Sequence, residues 1–118
     1  MPSTRRPMRA LEDHVMEYLW AVDGAASASD VHHAVAPELA YTTITTVLTR
    51  LWEKGRIERA RAGRSYLYVP VRSEAEHRAD TMSTTLDAAA DRSAVLSSFV
   101  DTLDAGDLAV LRRLLGGI

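Results

Sequence analysis

Residues 41–55 read Tyr-Thr-Thr-Ile-Thr-Thr-Val-Leu-Thr-Arg-Leu-Trp-Glu-Lys-Gly, and the spacing within them decides the fold. Ile44, Val47, Leu48 and Leu51 recur at i, i+3, i+4 and i+7, the stripe of an amphipathic helix. Thr42, Thr46, Thr49 and Glu53 fall on the opposite side, with Thr45 and Arg50 flanking them. Thr42, Thr43, Thr45, Thr46 and Thr49 put five threonines into eight residues. That is a poor choice for helix propensity, because β-branching restricts their rotamers. A demand other than helix stability selects them. A short side chain with a donor, an acceptor and a methyl group suits base edges and phosphates in a DNA major groove.

Towards the N-terminus, Met8, Leu11, Val15, Leu19 and Val22 step by three and four, predicting a first helix over about residues 8–22. Asp23-Gly24 ends it. Residues 1–7, with Pro2 and Pro7, read as a mobile tail. Ser27 and Asp30 have the spacing of a capping box. They open a short second helix with Val31, Ala34 and Val35 inward, stopped near residue 36 by Pro37. Lys54-Gly55 gives the threonine-rich third helix a favourable end. The pattern then changes to alternation over Ile57–Arg61 and Ser65–Val71, with strand formers Tyr66, Leu67, Tyr68 and Val69. Ala62-Gly63 reads as the hairpin tip. Three helices followed by a hairpin with arginines at its tip is a winged helix-turn-helix, placed at residues 8–72.

Residues 73–118 read as three further helices. Ser73 and Glu76 repeat the capping spacing and open one to about residue 90, which Asp91-Arg92-Ser93 breaks. The next carries Val95, Leu96, Phe99, Val100 and Leu103. Asp104 and Asp107 start the last, with Leu108, Leu111, Leu114 and Leu115 on one side and Gly116-Gly117 as its end. Helices this short, with Phe99 as their one aromatic residue, bury too little surface alone. Their apolar side chains need another surface, and a second copy of the chain is the simplest. Met82, Leu86, Val95, Leu96, Phe99, Val100, Leu103, Leu108, Leu111 and Leu115 are the candidate dimerisation residues. The fold class is thus mainly α with a small β hairpin: a winged helix-turn-helix followed by a three-helix dimerisation region.

At 118 residues and 47% apolar, the chain is an ordinary globular size and composition. It has no cysteine, which excludes disulfides, thiolate metal sites and cysteine nucleophiles and suits a reducing cytoplasm. No apolar run has the length of a membrane span, and no apolar segment follows Arg5, Arg6 and Arg9 to make a secretory signal. Net charge is only −2, but between Arg50 and Arg64 six basic residues face two acidic ones. That local footprint fits nucleic acid better than a membrane surface.

Within this footprint Thr42, Thr45, Thr46 and Thr49 are assigned to bases or nearby phosphates. Arg50 and Lys54 are assigned to the backbone, since phosphate contacts set register and base contacts set sequence. Thr43 lies off the polar centre, as a cap or a phosphate contact. Arg61 and Arg64 flank the hairpin tip and suit phosphate or the minor groove. The side to which Arg59 points depends on register, which the sequence leaves open. Arg5, Arg6 and Arg9 read first as a soluble tail and second as DNA contacts. Tyr41, Tyr66 and Tyr68 read as packing residues with a polar tip, and Trp20 and Trp52 as core or interface. His14, His32, His33 and His77 lack ligand spacing, so neither a metal nor another cofactor is expected. No nucleophile, base and orienting acid assemble by any motif, so no enzyme is expected.

These residues resemble the penicillinase and methicillin-resistance repressors, the BlaI/MecI type, over about residues 9–115. The most specific part is residues 40–55, which look like the family's recognition helix. Leu11-Glu12, Val15-Met16 and Leu19-Trp20 resemble its first helix, and Arg64–Pro70 its second wing strand. The resemblance implies a winged-helix domain, a helical dimerisation domain and repression at palindromic operators on double-stranded DNA. It also implies a sensor protease as partner, because members under β-lactam control are inactivated by cleavage of an Asn–Phe bond. The matching bond here is Ser98–Phe99: phenylalanine is kept and asparagine is not. Copper-sensing relatives carry a cysteine-rich metal site, which a chain without cysteine does not reproduce. A winged-helix protein-interaction module without a DNA role is the competing class, and release by a small ligand near residues 70–82 is a weaker alternative.

Overall fold

The computed structural model describes residues 5–116. Six helices and three strands follow in the order α1 (Arg5–Ala21), β1 (Ala26–Ser27), α2 (Ala28–Val35), α3 (Tyr41–Glu53), β2 (Ile57–Ala62), β3 (Ser65–Pro70), α4 (Glu74–Asp87), α5 (Arg92–Val100) and α6 (Ala105–Leu114). The chain divides into two units, Met1–His77 and Arg78–Ile118, so the division falls inside α4. The expected class holds: a mainly α chain with a small antiparallel sheet.

The first unit is built on α3. Its apolar stripe is fully inside: Ile44, Val47, Leu48 and Leu51 are each at 0% exposure. Burial on that scale, about 1.5–3 kcal/mol for each such side chain, overrides the weak propensity of the threonines. Val15, Met16 and Leu19 of α1, Val31 of α2, Ile57 of β2 and Tyr68 of β3 complete the core. The helix starts at Ala40 without a side-chain cap. Its end is well made. Arg56 N–H reaches the Leu51 carbonyl and Gly55 N–H the Trp52 carbonyl, both at 3.0 Å, with Gly55 at φ +75°. This is the Schellman arrangement, and it turns the chain directly into β2.

Several boundaries differ from the sequence reading. Helix α1 already includes Arg5, so the expected tail is helical from there, while residues 1–4 lie outside the described residues. In α2 the capping box of Ser27 and Asp30 is present, but Ala34 is exposed and Ala36 is buried in its place. The hairpin tip is Gly63-Arg64, because Ala62 pairs with Ser65. Gly63 takes φ +64° and no other residue type has positive φ among the described residues, which matches a two-residue turn with glycine first. A strand the sequence did not signal, β1, pairs antiparallel with β3 and gives the sheet order β1-β3-β2.

Trp20 donates its indole N–H to the Arg72 carbonyl at 3.0 Å, and its ring centroid lies 5.3 Å from that of His77. Arg56 Nη2 lies 3.1 Å from His77 Nε2. These contacts anchor the first turn of α4, capped by Ser73 and Glu76 as expected.

In the second unit α4 stops at Asp87, and Asp91 is the N-cap of α5 rather than the end of α4. Asp104 and Asp107 form a capping box on α6. Gly116 follows α6 at φ +88°, while Gly117 lies outside the described residues. None of α4, α5 and α6 contains a buried residue. Met82, Val95, Leu96, Phe99, Val100, Leu111 and Leu115 are exposed, as are Val110 and Leu114, whereas Leu86, Leu103 and Leu108 are half-buried. Among the described residues, no helix is long and apolar enough to cross a membrane.

Candidate nucleic-acid interface

Helix α3 presents opposite its buried stripe a surface of hydroxyls and charges. Thr42, Thr46, Thr49 and Arg50 are exposed, and Thr43 and Thr45 are half-buried at the margins. Thr45 and Thr46 each donate their hydroxyl hydrogen to the Thr42 carbonyl, at 3.0 and 2.9 Å. With the donor used inside the helix, each oxygen is left to act as an acceptor only. Such a surface can accept hydrogen bonds and pack against apolar groups, the two kinds of contact that base edges in a major groove offer.

One flank of α3 is joined to the wing. Register places Arg59 opposite Tyr68 and Arg61 opposite Tyr66. Ile57, Arg59 and Arg61 therefore share one face of β2, since side chains alternate. That face begins in the core at Ile57 and ends in solvent at Arg61, which settles the open question of Arg59. Its guanidinium lies 3.7 Å from the Trp52 ring centroid and 4.4 Å from that of Tyr66. Trp52 is thus a partly exposed platform for the wing. Arg61 and Arg64 stand exposed, Arg61 on β2 and Arg64 at the tip. Burial pushes the Tyr68 phenol above its ordinary value, with Arg59 opposing that shift, so Tyr68 stays protonated under the sheet.

The other flank meets α1. Lys54, the C-cap of α3, holds its ammonium 2.7 Å from Glu12 Oε1. The Glu12 side chain is 6% exposed and that of Lys54 56%. The sequence reading missed Glu12. The signal was present: Met8, Glu12, Val15 and Leu19 form one column of α1, and an acid within an apolar column demands a partner for its charge. Lys54 retains two donor hydrogens beyond this pair.

The remaining polar candidates have local roles. His32 Nε2 lies 2.7 Å from the Leu39 carbonyl and its ring meets that of Tyr41 edge-on, with centroids 5.8 Å apart. Among the described residues no three His, Asp or Glu side chains are placed to hold a metal ion. Ser98 and Phe99 both lie inside α5, so the bond between them is helical.

The penicillinase repressor family model matches residues 9–117. The transcriptional regulator BlaI of Mycobacterium tuberculosis, strain CDC 1551 / Oshkosh, is 37% identical over 110 residues, which cover 89% of this chain and 80% of that protein. BlaI of strain ATCC 25618 / H37Rv matches with the same identity and coverage. A solved structure of HOP2, concerned with its DNA recognition and protein interaction domains, covers 51% of this chain and 97% of that one at 22% identity, with a TM-score of 0.47.

Proposed function

The chain belongs to the penicillinase repressor family, and on that premise we propose that it represses transcription as a homodimer on a pseudo-palindromic operator. Residues 8–72, within the unit that runs on to His77, are the DNA-binding domain, and residues 73–118, most of them in the unit that begins at Arg78, the dimerisation domain. Each subunit inserts α3 into a major groove. Thr42, Thr45, Thr46 and Thr49 meet base edges, Thr43, Arg50 and Lys54 meet phosphates, and Arg61 and Arg64 meet the adjacent backbone or minor groove. Two recognition helices about one turn apart, near 34–36 Å, cover successive major grooves. Bound duplex excludes polymerase from an overlapping promoter.

One observation carries this reading: a helix whose apolar stripe is wholly buried turns outward a row of threonines that its own stability does not call for. The dimer is supported by the second unit, where no helix buries a side chain and Val95, Leu96, Phe99, Val100 and Leu111 stay open to solvent. A second copy covers them, and two sets of phosphate contacts hold the complex in physiological salt. The site of action is the cytoplasm, where the duplex is. A sensor protease acting at Ser98–Phe99 requires α5 to unwind locally, since the bond is helical.

The test is selection of duplexes from a random pool by the full chain, with the mass of the complex measured by light scattering. The reading requires an inverted repeat bound by two chains. Failure to bind any duplex at low salt rejects it in favour of a protein-interaction module.

A further inference from the structure

We infer that the cleft between α1 and the C-terminal half of α3 is a notch for one phosphate of the DNA backbone, with Arg9 as a ligand contributed by α1. The inference rests on the DNA-binding reading above and adds a contact from a different element. Met8, Arg9, Glu12, Arg50 and Lys54 line a cavity of about 260 Å³. Three of these five residues are cations. Arg9 and Arg50 are exposed and make no ion pair among the described residues.

Glu12 makes this a built site rather than a loose basic patch. Its carboxylate is held inside the domain and fixes the Lys54 ammonium at 2.7 Å, so one cation of the notch has a set position. The pair cancels one charge and leaves the formal sum of the lining at +2, which suits a phosphodiester anion. The two guanidiniums supply forked donors that match phosphate oxygens.

Placement fits as well. Arg50 and Trp52 are two residues apart and lie on nearly opposite flanks of a helix with 3.6 residues per turn. The wing packs on the Trp52 flank through Arg59, and the cavity opens on the Arg50 flank. The threonine face therefore has wing arginines on one side and the notch on the other. A helix in the major groove has a sugar–phosphate backbone along each side, so both strands are met by basic residues.

The experiment uses the duplex selected by the full chain, rebuilt as a series in which one phosphate at a time becomes an uncharged methylphosphonate. Wild-type chain and Arg9→Ala are titrated against the series across a range of salt. The expected result is one phosphate per half-site whose neutralisation weakens wild-type binding several-fold and weakens Arg9→Ala distinctly less, since only Arg50 and Lys54 then remain to meet it. Arg9→Ala also lowers the slope of log K against log salt by about 0.9 per notch. A wild-type chain that binds the duplex while Arg9→Ala shows the same slope and the same methylphosphonate profile overturns the notch alone. A wild-type chain that binds no duplex overturns the notch together with the DNA-binding reading.

Discussion

Arg59 lays its guanidinium 3.7 Å from the centre of the Trp52 ring, and through that contact a strand of the wing is fastened to the flank of α3. The Tyr66 ring lies 4.4 Å from the same guanidinium, so one cation joins α3, β2 and β3. The wing thereby keeps a fixed distance from the threonine face. Replacing Arg59 by Ala is expected to cost about 1 kcal/mol of stability, and the Arg59–Trp52 coupling in a double-mutant cycle about 0.5–1 kcal/mol. Arg59→Lys should recover little of it, because an ammonium does not stack as a guanidinium plane does. Denaturant unfolding of the four chains of the cycle gives the number, and a coupling near zero means the wing is held by the sheet alone.

The Glu12–Lys54 pair yields a second prediction. Lys54→Met leaves a nearly buried carboxylate without its partner, at a cost of about 1–3 kcal/mol. The lower end applies, since the lysine side is half in water. In a Glu12→Gln background the same substitution should be close to neutral. Equal losses in both backgrounds, measured by denaturant midpoint at constant m-value, show that Lys54 acts through its alkyl stem instead.

Helix α2 carries a pH signature. The Asp30 carboxylate is held below the usual carboxylate value, first by the Ser27 backbone N–H and then by the Ser27 hydroxyl. A folded-state value that is depressed makes its contribution to stability complete above the unfolded value of 3.8, and that contribution is lost as pH falls through the folded one. Asp30→Asn should remove this component and leave a shallower acid limb. Following the Asp30 carboxyl carbon by NMR gives the midpoint directly; a midpoint at or above 3.8 contradicts the capping account.

Arg50 and Thr46 separate the two kinds of contact. Arg50→Ala should weaken binding to all duplexes alike and reduce the salt slope by about one unit per phosphate lost. Thr46→Ala should keep the slope and change the preferred half-site. Thr46 is exposed and its hydroxyl hydrogen is taken by the Thr42 carbonyl, so the bases that lose preference should be those offering an amino hydrogen or a methyl. Selection from a random pool with each variant distinguishes the outcomes, and matching, small effects from both contradict the division of roles.

Much of this was readable from spacing. The stripe Ile44, Val47, Leu48 and Leu51, the Ser27–Asp30 and Asp104–Asp107 caps and the Lys54-Gly55 stop are local signals, and each is found where its chemistry places it. What escaped is non-local. Strand β1 is only Ala26–Ser27, too short and too weak in β-propensity to announce itself, and exists because β3 offers it an edge. The hairpin tip shifted by one residue because the pairing of Ala62 with Ser65 set the turn at Gly63-Arg64. Ala34 and Ala36 exchanged burial where the helix ends, since Ala36 has left the helical period that placed Ala34 inward. Glu12 and Lys54 are 42 positions apart, a separation at which no periodicity pairs them. Arg59 needed the strand register before its side of the sheet had meaning.

The most direct measurement exploits the absence of cysteine. A single Thr46→Cys substitution creates the sole thiol in the chain, to which a DNA-cleaving iron chelate is attached. The account predicts two clusters of cuts in the selected duplex, in major grooves about 10 base pairs apart, one for each α3 of a dimer. The same chelate on Glu17→Cys, at an exposed position of α1, serves as the reference for cleavage away from the groove. Cuts that are absent from a duplex still bound, or spread no differently from those of the reference, contradict the claim that the threonine face of α3 reads the groove.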